Sequence, residues 1–142
     1  MPLTARVNGK PVVAPLLTDD EWQTLRERAR TGTWHIEMPC CGAAGHPRMS
    51  RLSTKHFAHN PRKHDGLHSS SHCISGYESY EHLKIKEELV KICDSYGWQV
   101  ATEYRYEDWI ADVIAYKPGR KIVFEVQLSN LTVDEFRQRS EK

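Results

Sequence analysis

Long apolar runs are missing from this sequence. Its longest, such as Val12 to Leu17, are short and broken by Pro15, so no segment could cross roughly 30 Å of hydrocarbon and no membrane partner is expected. The start of the chain has no charged stretch leading into an apolar h-region and cleavage site. No secretory signal is therefore expected, and a reducing cytoplasm is the default location. Cysteine is scarce, with four in the chain, and in that compartment they are expected to be thiols or metal ligands rather than disulfides. No internal repeat appears, and no low-complexity tract beyond the polar run from His64 to His72, so the organisation is linear. Strong net charge is absent too, at +1 overall.

What is present is enough to fold. The 142 residues suit one ordinary domain or two small modules, and 39 % hydrophobic against 27 % charged residues places the chain among globular proteins. The bland total charge hides a split. Residues 1–76 hold ten Lys and Arg against six Asp and Glu, with seven of the eight histidines, whereas residues 77–142 hold ten against thirteen. A mildly basic, His-rich half can approach phosphate and an acidic half can hold hard cations, a weak pointer to nucleic acid plus metal. The division expected is an N-terminal module at 1–76 and a second unit at 77–142.

Local signals order the chain. Ala5 to Ala14 alternates around Asn8-Gly9, which predicts a tight hairpin. Thr18 with Glu21 makes a capping box for a helix carrying Trp22 and Leu25, stopped at Gly32. Trp34 to Met38 reads as a strand, and residues 43–76 read as loop without a core. From Tyr77 the pattern changes. Leu83, Ile85, Leu89, Val90, Ile92 and Cys93 fit a helix of about 18 residues stopped at Gly97, with Cys93 as simple core. Strands follow at Trp98 to Tyr104, Trp109 to Tyr116 and Lys121 to Leu128, and Thr132 with Glu135 caps a final helix. The expected fold class is therefore α/β (α+β), with a helix, three strands and a helix after a β-rich module.

Acidic residues carry the chemical signal. Asp112 sits on one predicted strand, and Glu125 and Gln127 sit on the next, with twelve residues between the two acids. Strand periodicity puts Glu125 and Gln127 on one face, and a hairpin of this length can bring Asp112 beside Glu125, where Mg²⁺ or Mn²⁺ could take their oxygens. Such an ion would suit phosphodiester hydrolysis, with Gln127 orienting the water. An exposed hairpin with solvated acids is the competing reading. On the preceding helix Glu78, His82 and Lys86 recur at i, i+4 and i+8, so they share a face that could look into the site, or could simply be solvated.

A second cluster lies upstream. Cys40, Cys41, His46, His56, His59, His64, His68, His72 and Cys73 fall within 34 residues, and a tetrahedral Zn²⁺ could order them, contributing on the order of 10 kcal/mol. The preferred set is Cys41, His56, His59 and Cys73, with Cys40 as the replacement. The usual C-x-x-C knuckle is lacking, because Met38 stands three residues before Cys41. A relic finger held by ordinary packing and a vicinal disulfide are the alternatives. Trp98, Tyr104, Tyr106 and Trp109 could stack on bases but are explained more cheaply as core and edge residues.

In order, Glu78-Ser79-x-x-His82-x-x-x-Lys86, Gly97-Trp98, Thr102-Glu103, Ala111-Asp112-Val113 and Glu125-Val126-Gln127-x-Ser129, then a helix with Arg139, resemble the competence protein CoiA-like nuclease family. That family belongs to the PD-(D/E)xK superfamily. Upstream, His56-Phe57-Ala58-His59 followed by a cysteine is similar to the small Zn-finger-like module of these proteins, so the resemblance spans about residues 34–142. It implies a restriction-endonuclease-like αβββα core, apparently truncated at its C-terminus, in which Asp112 and Glu125 are metal ligands. Gln127 stands where the superfamily usually has lysine, and the CoiA-like group itself uses this E-x-Q form. Glu78 and His82 would assist from the helix, and Lys86, Arg137 and Arg139 are the candidate nucleic-acid contacts. The partner implied is DNA, in DNA processing, recombination or a mobile-element or defence context, with a homodimer as one way to complete the sheet. A module that kept the fold and lost the chemistry, binding DNA or protein, is the other reading.

Overall fold

The computed structural model describes residues 1–60, 78–107, 109–130 and 132–141, with only the backbone at Arg139. It is a mixed α/β structure with three small antiparallel sheets. Strands β1 (Thr4–Val7) and β2 (Lys10–Val13) pair antiparallel. Asn8 and Gly9 between them both have positive φ, at 51° and 82°, as a two-residue turn matched to strand twist requires. Strand β3, only Ile36–Glu37, joins the other side of β1. Helix α1 (Asp19–Arg30) starts at the Thr18/Glu21 capping box and buries Trp22 and Leu25. The Trp22 ring meets Phe57 edge-on at 5.9 Å.

Residues 43–60 correct the expectation of coreless loop. Strands β4 (Gly45–Met49) and β5 (Lys55–His59) form an antiparallel hairpin, and Phe57 and His56 on β5 are buried. Period-2 hydrophobicity fails to reveal it because β4 contributes no large buried apolar side chain and β5 contributes one, Phe57, next to a buried imidazole. Met38 is fully buried. It lies so close to Gly45 that a Cβ there would collide with its sulfur, so the residue in place of a first knuckle cysteine belongs to the core.

Helix α2 (Tyr80–Ser95) begins at Ser79, whose Oγ accepts from His82 N at 3.1 Å. Its buried stripe is Leu83, Lys86, Glu87, Val90 and Cys93, whereas Ile85 and Ile92 are exposed. Two charged side chains thus occupy core-facing positions of the helix. Strands β6 (Gln99–Arg105), β7 (Ile110–Lys117) and β8 (Arg120–Phe124) form a meander in the order β6-β7-β8. Pairing of β8 stops at Phe124, short of the Leu128 expected. Helix α3 (Val133–Ser140) follows, opened by the Thr132/Glu135 capping box, and its described side chains are exposed. No helix of the described residues is long and apolar enough to cross a membrane.

The N-terminal strands and the meander share one interior. Leu3 packs in a buried cluster with Leu83, Val90 and Val113, and the hydroxyls of Thr4 and Thr102 lie 2.6 Å apart. The hairpin β4–β5 is tied to α2 as well. Buried Glu87 accepts from Thr54 Oγ1 at 2.7 Å, Lys84 Nζ at 2.8 Å and Lys91 Nζ at 2.7 Å. Burial pushes the Glu87 carboxyl up, but these donors outweigh it and hold the pKa below the usual value. Replacing Glu87 by alanine leaves the buried Thr54 hydroxyl without its acceptor. Glu87→Ala should therefore lower stability by about 2 to 3 kcal/mol, read as a shift in the urea midpoint with an unchanged slope.

Candidate active site

The start of α2 and the middle of β7 converge on three ligand-type side chains. Atoms of Glu78, His82 and Asp112 lie within 4.8 Å of one another. His82 Nε2 is 3.3 Å from Asp112 Oδ2, and its Nδ1 is 3.6 Å from Glu78 Oε1. The local fold explains the meeting. Ser79 caps the helix, which leaves Glu78 just outside it and puts His82 on the first turn, four residues on. Asp112 comes from the central strand, and its Oδ2 also accepts from Val126 N at 2.8 Å. Two carboxylates and an imidazole in this spacing form a donor set that fits a hard or borderline divalent cation.

Beneath this group lies a buried ion network. Lys86 Nζ is 2.8 Å from Glu78 Oε1 and also bonds Glu103 Oε1, with only 2 % of its side chain exposed. Burial works against its charge, yet the carboxylates of Glu103 and Glu78 overcome this and hold its pKa above the ordinary lysine value. Lys86 is therefore not placed to meet a phosphate, as the sequence suggested, and instead anchors Glu78. Glu103 was missed as a site residue. Its φ is +49° in the interior of β6, a left-handed conformation that costs a non-glycine residue about 1 kcal/mol. The paired neighbours Thr102↔Val113 and Tyr104↔Ala111 put it opposite Asp112. A signal existed in the sequence: an acid within a strand, and a lysine on the buried stripe of the adjoining helix needing a partner.

The other expected residues are distributed as follows. Glu125 is exposed and lies one position past the end of β8. It is not in the group formed by Glu78, His82 and Asp112. Gln127 is exposed, and its amide donates to Ser129 O at 3.3 Å and to the Ser129 hydroxyl. Arg137 is exposed on α3, while the side chain of Arg139 lies outside the described residues. Tyr106 and Trp109 stack on each other at 4.4 Å where the β6–β7 hairpin closes, and Lys117 sits 4.9 Å over the Trp98 ring. Cys93 is buried on α2, and burial pushes its thiol pKa up.

A second donor group forms in the N-terminal half from Cys40, Cys41 and His59. His59 Nε2 is 3.3 Å from each sulfur, and the sulfurs are 3.7 Å apart. Both neighbouring cysteines reach the same imidazole, where the sequence reading chose between them. Two thiols and an imidazole suit zinc-type chemistry. His56 stands apart, because three positions along β5 separate it from His59 and strand alternation turns the two to opposite faces. Cys73 lies outside the described residues.

Residues 78–142 match the family model described as competence protein CoiA, nuclease-like domain. No curated protein and no solved structure gives a significant match.

The displaced His56 has a measurable consequence. It is buried, and its Nδ1 donates to Thr54 O at 3.2 Å. Its Nε2, left as the acceptor, has no partner among the described residues. Burial lowers its pKa below 6.5, only partly opposed by the Thr54 bond. The folded state thus favours neutral imidazole. This contribution to stability is complete above the unfolded value of 6.5 and is lost as pH falls from there through the folded pKa. Denaturant midpoints of the chelator-treated protein should drop between pH 7.5 and 5.5, and His56→Gln should flatten that drop.

Proposed function

We propose, from the premise that residues 78–142 belong to the competence protein CoiA nuclease-like domain family, that the chain hydrolyses DNA phosphodiester bonds with a divalent cation, Mg²⁺ or Mn²⁺. The observation that carries this reading is the convergence of Glu78, His82 and Asp112. A cation held by Glu78 and Asp112 would polarise the scissile phosphate and lower the pKa of a bound water. Asp112 is steadied for that role by Val126 N–H and His82. His82 can pass a proton or contact phosphate. Glu125 is the further carboxylate and Gln127 the group that orients water, both on the segment that leaves β8 beside Asp112. Glutamine brings a dipole where lysine would bring a charge, which points to modest rates. Arg137 and Arg139 are the phosphate contacts proposed on α3. In the N-terminal half Cys40, Cys41 and His59 would hold a structural Zn²⁺, with Cys73 as fourth ligand.

One observation favours a second reading, a DNA- or protein-binding module on a nuclease fold. Lys86 already pairs with Glu78, and His82 with Asp112, so each carboxylate has a basic neighbour. Cleavage assays separate the two. Linear, circular and single-stranded DNA should be cut in Mn²⁺ or Mg²⁺ and spared in EDTA, and Asp112→Ala should slow cutting at least about 100-fold. Equal cleavage by both proteins would remove Asp112 from the mechanism. No cleavage of any substrate by the wild-type chain would favour the binding module. For the N-terminal half, elemental analysis should find one zinc per chain, and Cys40→Ser with Cys41→Ser should abolish it.

A further inference from the structure

Glu103 is not one of the three converging ligands, yet its backbone is left-handed and one of its bonds, to Lys86, leads on to Glu78. In a regular antiparallel pair the residue opposite Asp112 would project from the same face, with Cβ atoms about 5 Å apart, and two like charges would oppose each other. The left-handed φ of +49° turns Glu103 out of that arrangement. Its Oε1 takes Lys86 Nζ, and its Oε2 takes Leu3 N at 3.2 Å and the Thr102 hydroxyl. Lys86 is thus shared between Glu103 and Glu78.

The charge count depends on that sharing. Apart from His82, Glu78, Glu103 and Asp112 carry three negative charges, while Lys86 and the N-terminal ammonium, 3.4 Å from Glu78 Oε2, carry two positive charges, which leaves one negative charge beside a position suited to a divalent ion. Without the Glu103 carboxylate, the whole ammonium charge of Lys86 would face Glu78, and no net negative charge would remain. We infer that Glu103 is a positioning residue that sets the divalent-cation affinity of the Glu78–His82–Asp112 centre by dividing Lys86 between two carboxylates. This rests on the metal-centre reading above.

The sign of two substitutions tests it. Titrating full-length protein with Mn²⁺ alone in a calorimeter, Glu103→Gln should weaken binding about tenfold, and Lys86→Gln should tighten it about tenfold, since one removes negative and the other positive charge. Glu103→Asp, which keeps the charge, should recover most of the loss. A merely structural network would weaken binding in both variants, because either change breaks the same buried pairs. Unchanged affinity in Glu103→Gln, or weaker binding in Lys86→Gln, overturns the inference, whatever happens to the melting temperature. If one variant does not fold, the other decides; if neither folds, the network's role is structural and the inference falls. A wild-type chain that binds no Mn²⁺ overturns the metal-centre reading itself, whereas normal wild-type binding with unaltered variants overturns only the role given to Glu103.

Discussion

The buried ammonium of Lys86 is the constraint around which the C-terminal half is arranged. Moving such a charge out of water costs several kcal/mol unless partners surround it, and with 2 % of its side chain exposed it has little recourse to solvent. Its partners come from outside its own helix. Glu78 precedes α2 and Glu103 lies in β6. Removing either would leave a charge incompletely compensated in a place that water barely reaches, so helix and sheet are held in one relative position. The same carboxylate that satisfies Lys86, Glu78, is one of the three groups that converge with Asp112. Structural satisfaction and site geometry therefore share an atom, Glu78 Oε1.

Glu87, the next residue along α2, does the corresponding work on another side of the helix. Successive helical residues are about 100° apart, so adjacent charged residues at buried positions face different neighbours. Lys86 looks toward the meander, and Glu87 reaches the β4–β5 hairpin through Thr54. The N-terminal strands complete the arrangement, because Leu3 both fills the apolar cluster with Leu83 and Val90 and donates its N–H to Glu103. Residues outside the family-matched segment thus contribute directly to the network under its acidic centre.

Much of this was legible in the sequence where local chemistry decides local structure. Asn8-Gly9 marked its hairpin, the two Thr/Glu capping boxes marked α1 and α3, and Gly97 marked the end of α2, because each of these signals acts within a few residues. The αβββα order followed. Elements whose stability is tertiary were hidden. The β4–β5 hairpin buries one aromatic ring against α1, so it shows no alternation. On α2 the apolar residues suggested one buried face, yet Lys86 and Glu87 occupy core positions that Ile85 and Ile92 do not, since satisfied charges can be buried when partners arrive from distant segments. The candidate centre was half visible. Asp112, Glu78 and His82 meet, while the strand pairing expected to align Glu125 with Asp112 ends one residue too soon.

That early end has a local cause that bears on the site. Antiparallel pairing of β7 and β8 runs to Val113↔Phe124, and the next backbone donor on that side, Val126 N–H, goes to the Asp112 side chain at 2.8 Å rather than to a strand carbonyl. A charged acceptor makes a stronger hydrogen bond than a neutral carbonyl, so Asp112 competes with the ladder and wins at this point. The chain then departs from the pleat, and the alternation that would have set Glu125 and Gln127 on one face no longer governs them. One carboxylate consequently fixes both its own orientation and the path of the segment carrying the next two residues of the motif. An aspartate here shapes the site before any ligand reaches it, through the backbone as much as through its charge.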